Sequence, residues 1–156
     1  FFVLYTYIMN QYQYKSKYMK YKISWIEKYV RGAVAHPIWV STIAGDGNWG
    51  YRNGDWTNAQ FINPTGIAIN AAGELFVANA FSFRIRKIDI DNNVSTIAGD
   101  GTFSYRDGTG NEVQFRYPSG IAINAVGELF VVDYGNNRIR KIEGASTTDG
   151  IVFQTD

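Results

Sequence analysis

Few residues of this chain have the types and spacing that catalysis or metal binding needs. There is no cysteine, so disulfides, zinc–thiolate sites and a thiol nucleophile are excluded. The one histidine, His36, precedes Pro37 and reads as a solvated loop residue rather than a ligand. Asp89-Ile90-Asp91-Asn92-Asn93 is calcium-like for five residues but lacks the glycine and the distal glutamate of a calcium loop, so it reads as a turn. No nucleophile–base arrangement, carboxylate pair or phosphate loop stands out. The sequence therefore nominates no catalytic residue, no metal ligand and no cofactor. Two other groupings could do chemistry of recognition. One is aromatic and arginine-rich: Trp49, Tyr51, Arg52 and Trp56, then Phe103, Tyr105, Arg106 and Tyr117. Such side chains are typical interface anchors, and loops on a rigid scaffold commonly carry function. The other is basic: Arg84, Arg86 and Lys87, then Arg138, Arg140 and Lys141. With Glu74, Asp89, Glu128 and Glu143 nearby, these basic residues read as cross-strand ion pairs, and a single-stranded RNA surface is the alternative.

Both groupings occur twice because the chain repeats. Residues 40–93 and 94–147 align without a gap at a period of 54, and 30 positions are identical. A fixed period of this length marks a repeat architecture. Each copy holds a β-branched run ending in Gly-Asp-Gly (Val40–Ala44, Val94–Ala98), then a long loop. A small apolar strand follows (Gly66–Asn70, Gly120–Asn124), and a hairpin turns at Gly73 or Gly127, where glycine supplies positive φ. The next strand is Glu74–Ala78 or Glu128–Val132, and a strand alternating Arg and Ile completes the set (Arg84–Ile90, Arg138–Ile142). Four antiparallel strands per unit form the blade of a β-propeller, so the expected fold is all-β: two full blades plus a stray outer strand, Val40–Ala44. Ile151–Gln154 is the candidate outer strand of the second blade. Tyr51 and Tyr105, with Phe61 and Phe115, fit a packing role between blades. Trp49/Phe103 and Trp56/Gly110 vary between copies and fit surface contact.

Residues 1–39 form a separate region. They are Tyr- and Lys-rich and carry a net charge of +5, whereas residues 40–156 carry −4. Phe1–Met9 is apolar but about half a bilayer span, so no transmembrane helix is expected. Ile23–Val30 suits a short amphipathic helix or a strand. A mildly acidic repeat region is a poor start for nucleic-acid binding. Two blades leave inner faces open, since each repeat depends on neighbours. The expectation is that further blades come from the same longer chain, of which this is a fragment, or from homo-oligomerisation.

The stretch Phe61–Asn70 with Gly73–Asn79 and Arg84–Ile88, and its second copy through Gly135-Asn136-Asn137-Arg138-Ile139-Arg140-Lys141-Ile142, resembles the NHL repeat. The loop with STIAGDG is similar to that of bacterial secreted or surface NHL proteins. The resemblance covers about two thirds of the chain. It implies a propeller and a polar pairing of Asp133 with Arg138, weakened in the first copy by Asn79. It also implies a chain that binds a protein or glycan partner outside the cell through the aromatic loops. The alternatives are a propeller enzyme whose catalytic residues lie in other blades, and an RNA-binding propeller. The lyase activity known in the family needs metal-binding histidines that this chain does not have.

Overall fold

The computed structural model describes residues 38–145. From Ser41 onward these form one compact unit, all-β, with two antiparallel sheets. Blade 1 has four strands in sequential order: β1 (Pro64–Ile69), β2 (Leu75–Asn79), β3 (Arg84–Ile88) and β4 (Val94–Ala98). Blade 2 has three among the described residues: β5 (Pro118–Ile123), β6 (Leu129–Asp133) and β7 (Arg138–Ile142). The β1–β2 and β5–β6 hairpins close on Gly73 (φ 87°) and Gly127 (φ 86°). In each, an asparagine braces the turn from inside. Asn70 and Asn124 accept the N–H of Glu74 and Glu128 at 2.9 Å, and their amides hold the same glutamates' carboxylates at 2.8 and 2.7 Å.

Val40–Ala44 forms no strand, although it has the sequence of β4. The reason is the partner: β4 exists because β3 offers it a ladder, and among the described residues no strand stands beside Val40–Ala44. The candidate strand Ile151–Gln154 and the helix-or-strand segment Ile23–Val30 lie outside the described residues.

The blades stack through β1 and β5. Gly66 permits the approach, since a Cβ there would stand 2.1 Å from the Ser119 carbonyl oxygen, and the Thr65 hydroxyl donates to the carbonyls of Pro118 or Ser119 at 3.2 Å. Between them lies a core of Ala78, Ile85 and Ala98 from blade 1 with Val113, Phe115 and Val131 from the second repeat. The other face of blade 1 is covered by its own loop: Ala59 joins Val77, Ile88 and Val94, with Phe61 packed alongside. Among the described residues nothing covers the two flanks. Phe76, Ala78 and Ile85 are fully buried against blade 2, whereas their counterparts Phe130, Val132 and Ile139 are exposed. At the opposite flank Ile67 and Ile69 are exposed as well.

Candidate functional site

The long loops are braced by their own polar residues. Asp46 accepts the Asn48 N–H at 2.8 Å, the Gln60 amide at 2.8 Å and the Arg52 guanidinium at 2.9 Å. Asp100 repeats this with Thr102, Gln114 and Arg106. The Asn48 N–H bond is foremost in holding the Asp46 carboxyl below the usual range. At Asp100 burial pushes upward, and the Gln114 and Thr102 bonds outweigh it. Arg52 and Arg106 also donate Nε–H to carbonyls across their own loops, Asn58 at 2.8 Å and Glu112 at 2.6 Å. Backbone bridges then tie each loop shut, Trp49 to Phe61 in the first, and Phe103 to Phe115 and Arg106 to Gln114 in the second.

The basic strands are not the charged outer faces that their alternation suggests. Arg86 is fully buried and Arg140 is 8% exposed. Both reach under the loops. Arg86 donates to the Gln60 and Arg52 carbonyls and the Asn53 side chain, and Arg140 to the Gln114 and Arg106 carbonyls. The guanidinium fork can serve several carbonyls at once, which an ammonium cannot do in this geometry. Arg140 also pairs with Asp133 (2.9 Å) and Asp107 (2.6 Å). The Asp133–Arg138 pairing is therefore corrected. Arg138 stands opposite Asp133 in the ladder but lies over the Tyr105 ring at 3.9 Å, and the carboxylate goes to the buried arginine, where an uncompensated charge costs more. Lys87–Glu74 and Lys141–Glu128 do form the expected cross-strand pairs. Arg84 lies over Tyr51 at 4.1 Å and donates to the Asp100 carbonyl, which joins the two loops. The Asp89 carboxylate is spent on its own turn, accepting the N–H groups of Asp91 and Asn93.

One group of side chains departs from the repeat. Phe81, Phe83, Phe103 and Tyr117 form an aromatic cluster where the blade 1 turn meets the second loop. Ring centroids are 5.1 Å apart for Phe81–Tyr117 and Phe83–Phe103, 5.6 Å for Phe83–Tyr117 and 5.0 Å for Phe103–Tyr117. Arg116 caps it, 4.4 Å above Phe103. Phe81 is 51% exposed and Phe103 43%. All four rings occupy positions that differ between the copies: Gly135, Asn137, Trp49 and Asn63 are their counterparts. Two of them carry backbone strain. Phe83 (φ 55°) and Tyr117 (φ 51°) are left-handed where the other copy has Asn137 (φ 53°) and Asn63 (φ 50°). Asparagine tolerates this region and a bulky aromatic does not, at about 1 kcal/mol each. A strained aromatic at a site where the same fold accepts asparagine marks a position kept for its ring.

The loop residues nominated from sequence divide accordingly. Phe103 and Tyr117 join the cluster. Tyr51 and Tyr105 are 56% and 41% exposed and stack on arginines, and Tyr105 donates its hydroxyl to Asp107 at 2.7 Å. Arg52 and Arg106 brace their loops. Trp49 is 88% exposed and Trp56 is half-buried. Phe115 plugs the blade junction, as its type suggested. Sequence reasoning missed Phe81, Phe83 and Arg116. The signal was present in the departure of Ala80-Phe81-Ser82-Phe83 from Tyr134-Gly135-Asn136-Asn137, although nothing in the chain order shows that this turn meets Phe103.

A cleft of about 820 Å³ lies elsewhere, between Ile97 and Ala98 of blade 1 and Gly108, Lys141 and Ile142 of blade 2. It runs along the edge of β7 at the place that β4 takes beside β3, where Val94 exchanges hydrogen bonds with Gly54, the counterpart of Gly108. It belongs to blade architecture rather than to a ligand. Among the described residues no group of His, Cys, Asp or Glu could hold a metal ion, and no helix is long and apolar enough to cross a membrane.

Residues 115–142, the strands of blade 2, match the profile of the NHL repeat. That stretch is an NHL repeat. Relatives share the chain's sequence at a low level. The chloroplastic protein SUPPRESSOR OF QUENCHING 1 of Arabidopsis thaliana is 30% identical over 96 residues, 60% of this chain and 9% of that protein. A solved structure from Bacteroides thetaiotaomicron, described as a structural genomics protein of unknown function, is 30% identical with a TM-score of 0.60, covering 63% of this chain and 26% of that one. An auxiliary nutrient binding protein of the same organism is 25% identical with a TM-score of 0.56, covering 64% and 27%. The chain thus spans about a quarter of the length of these solved structures and less than a tenth of the plant protein.

Proposed function

We propose that the chain is a non-catalytic binding module, part of an NHL-type propeller that presents the Phe81/Phe83/Phe103/Tyr117 face to a protein or glycan partner outside the cell. The observation that carries this is the strain at Phe83 and Tyr117: two bulky residues sit in left-handed backbone to complete a half-exposed aromatic surface. Flat rings beside an arginine suit the apolar face of a sugar or an aromatic anchor from a protein. The nutrient-binding description of one structural neighbour supports a binding role and does not choose between the two partners. The basic strands give no support to an RNA surface, because their cations are committed to carbonyls, carboxylates and tyrosine rings.

Phe83→Asn and Tyr117→Asn test the proposal by separating stability from recognition. Each removes strain of about 1 kcal/mol and loses ring contacts of about 0.5–1.5 kcal/mol apiece. The variants should unfold within about 1 kcal/mol of the parent and lose retention on immobilised neutral polysaccharides. Retention that survives both substitutions and Phe103→Ala would sink the glycan site. If no polysaccharide retains the parent, the protein arm is tested by whether the same substitutions remove its captured partner.

The open flanks support a second part of the proposal, that further blades cover them, from a longer chain or from other copies. The blade 1–blade 2 contact is the template, since Phe130, Val132 and Ile139 repeat the side that blade 1 buries. The isolated chain should therefore self-associate, and Ile139→Lys should lower the mass measured by light scattering toward 17.6 kDa. A parent already monomeric at that mass and stably folded would contradict it.

A further inference from the structure

The edge of β7 repeats the edge of β3 without the strand that β3 holds. β4 lies on β3 with Val94 opposite Ile88 and Ser95 opposite Lys87. Val94 is 2% exposed, in a cluster with Ala59 and Ile88 that Ala44 and Phe61 pack against. The counterparts of those four neighbours are Val113, Ile142, Ala98 and Phe115, and all four line the cleft beside β7. The cleft is thus the socket that Val94 fills in blade 1. The far end of β4 is matched to blade 1 as well. A Cβ at Gly99 would collide with the Phe83 carbonyl, and one at Gly101 with the Arg84 guanidinium. Arg84 grips the passing chain, its Nη1 donating to the Ser82 carbonyl at 2.9 Å and its Nη2 to the Asp100 carbonyl at 2.8 Å. In blade 2, Arg138 Nη1 donates to the Asn136 carbonyl at 2.9 Å, and among the described residues Nη2 has no acceptor.

The chain carries a second copy of what this edge lacks. Val40-Ser41-Thr42-Ile43-Ala44-Gly45-Asp46-Gly47 is identical to 94–101. Its glycines already have the required backbone: φ is 119° at Gly45 and 85° at Gly47, against 103° at Gly99 and 90° at Gly101. A Cβ at Gly47 would meet nothing within 4 Å, so the place that Arg84 takes beside Gly101 stands open there. Val40 and Ile43 are exposed. Because the period is constant, the span from Ala44 to Pro64 equals that from Ala98 to Pro118. A segment seated on β7 of another copy therefore brings its own exposed Ile67 and Ile69 toward that copy's exposed Phe130, Val132 and Ile139.

We propose that Val40–Gly47 of one copy of the chain pairs with β7 of a second copy as its fourth strand, with Val40 in the cleft and the Asp46 carbonyl on Arg138. An added strand gains its affinity from main-chain hydrogen bonds and its specificity from the socket. The proposal rests on the reading that copies of the chain cover one another's flanks, and it names the joint between them. Ile151–Gln154, the other candidate for this edge, is a poorer match. With Ile151 in the place of Val94, Asp156 falls where Gly99 leaves no room for a Cβ.

The chain has no cysteine, so the joint can be read by cross-linking. Ser41→Cys and Lys141→Cys, both at exposed positions, are made in separate full-length chains, mixed and oxidised with glutathione disulfide. Ser95 opposite Lys87 sets the register, and opposed residues of an antiparallel ladder lie about 4.5–5.5 Å apart between Cα atoms, within reach of a disulfide. The mixture should give a dimer cross-linked from 41 to 141. Thr42→Cys in place of Ser41→Cys should give at least about tenfold less, because its side chain leaves the opposite face of the strand. Val40→Lys, which puts a charge in the cleft, should raise the dissociation constant of self-association at least about tenfold. A 41–141 yield no higher than the 42–141 yield overturns the proposal. So does a Lys141→Cys/Val152→Cys chain that closes a disulfide within itself while the mixed single variants stay apart, since the edge then belongs to Ile151–Gln154. If the parent's mass exceeds 17.6 kDa by light scattering and 41–141 still fails to form, strand pairing falls and the mutual covering of flanks stands, whereas a monomeric parent removes both.

Discussion

Asp133→Ala is expected to destabilise the chain by about 3–5 kcal/mol, because it removes the buried partner of a buried cation and strands two further, partly buried donors at once. Asp133 is fully buried and accepts three hydrogen bonds, from the Arg116 N–H, Asn136 Nδ2 and Arg140 Nη1. Arg140 would keep Asp107, but that carboxylate is 72% exposed, and an exposed partner gives little in return. Since domains of this size are stable by roughly 5–15 kcal/mol, the loss approaches the whole. Urea unfolding followed by tryptophan fluorescence measures it. The equivalent substitution in blade 1, Asn79→Ala, should cost far less, since Asn79 accepts one N–H and leaves its nitrogen unpartnered already. If the two cost the same, the carboxylate is not the keystone of blade 2.

Phe115→Ala should cost about 3–5 kcal/mol, and Phe61→Ala, the same change at the same repeat position, about 1–2 kcal/mol. Phe115 is fully buried in the core between the blades, with Arg140 stacked 5.0 Å from its ring, and Gly99 is held close enough that a Cβ there would lie 3.3 Å from it. Deleting the ring leaves a cavity that two stacked sheets cannot collapse to fill. Phe61 is half-buried, because its side of blade 1 is an open flank. Denaturant midpoints of the two variants decide it. Equal losses would mean that Phe61 is covered in solution, the result expected if other copies occupy the flank.

Much of the scaffold could be read from the chain. The 54-residue period gave the blades, alternation gave β3 and β7, and the glycines at 73 and 127 gave the hairpins. Two readings went astray for one reason. Val40–Ala44 has the sequence of a strand, but a strand is a property of a pair. Arg86 and Arg140 have the alternation of an outer face, but the loops fold back over that face and turn it into an interior, where the guanidinium groups meet carbonyls from positions about 26 and 34 residues away. Neither the missing ladder partner nor the returning loop is a local feature.

The candidate site shows the same division. The variable loop aromatics Phe103 and Tyr117 were visible by comparing the two copies. Phe81 and Phe83 were visible only as a departure, without a destination. It is the stacking of β1 on β5 that carries the blade 1 turn onto the second loop and brings each of the four rings within 5.1 Å of a neighbour. The returning loop of blade 1, in turn, buries Arg86 with carbonyls and an asparagine where blade 2 supplies carboxylates. By itself the sequence determined the unit of construction, because period and alternation are local regularities of side-chain placement along a strand. Only the tertiary structure decided which of two near-identical copies would be strained, which buried and which exposed, because those depend on the neighbour each copy packs against, and the two copies have different neighbours.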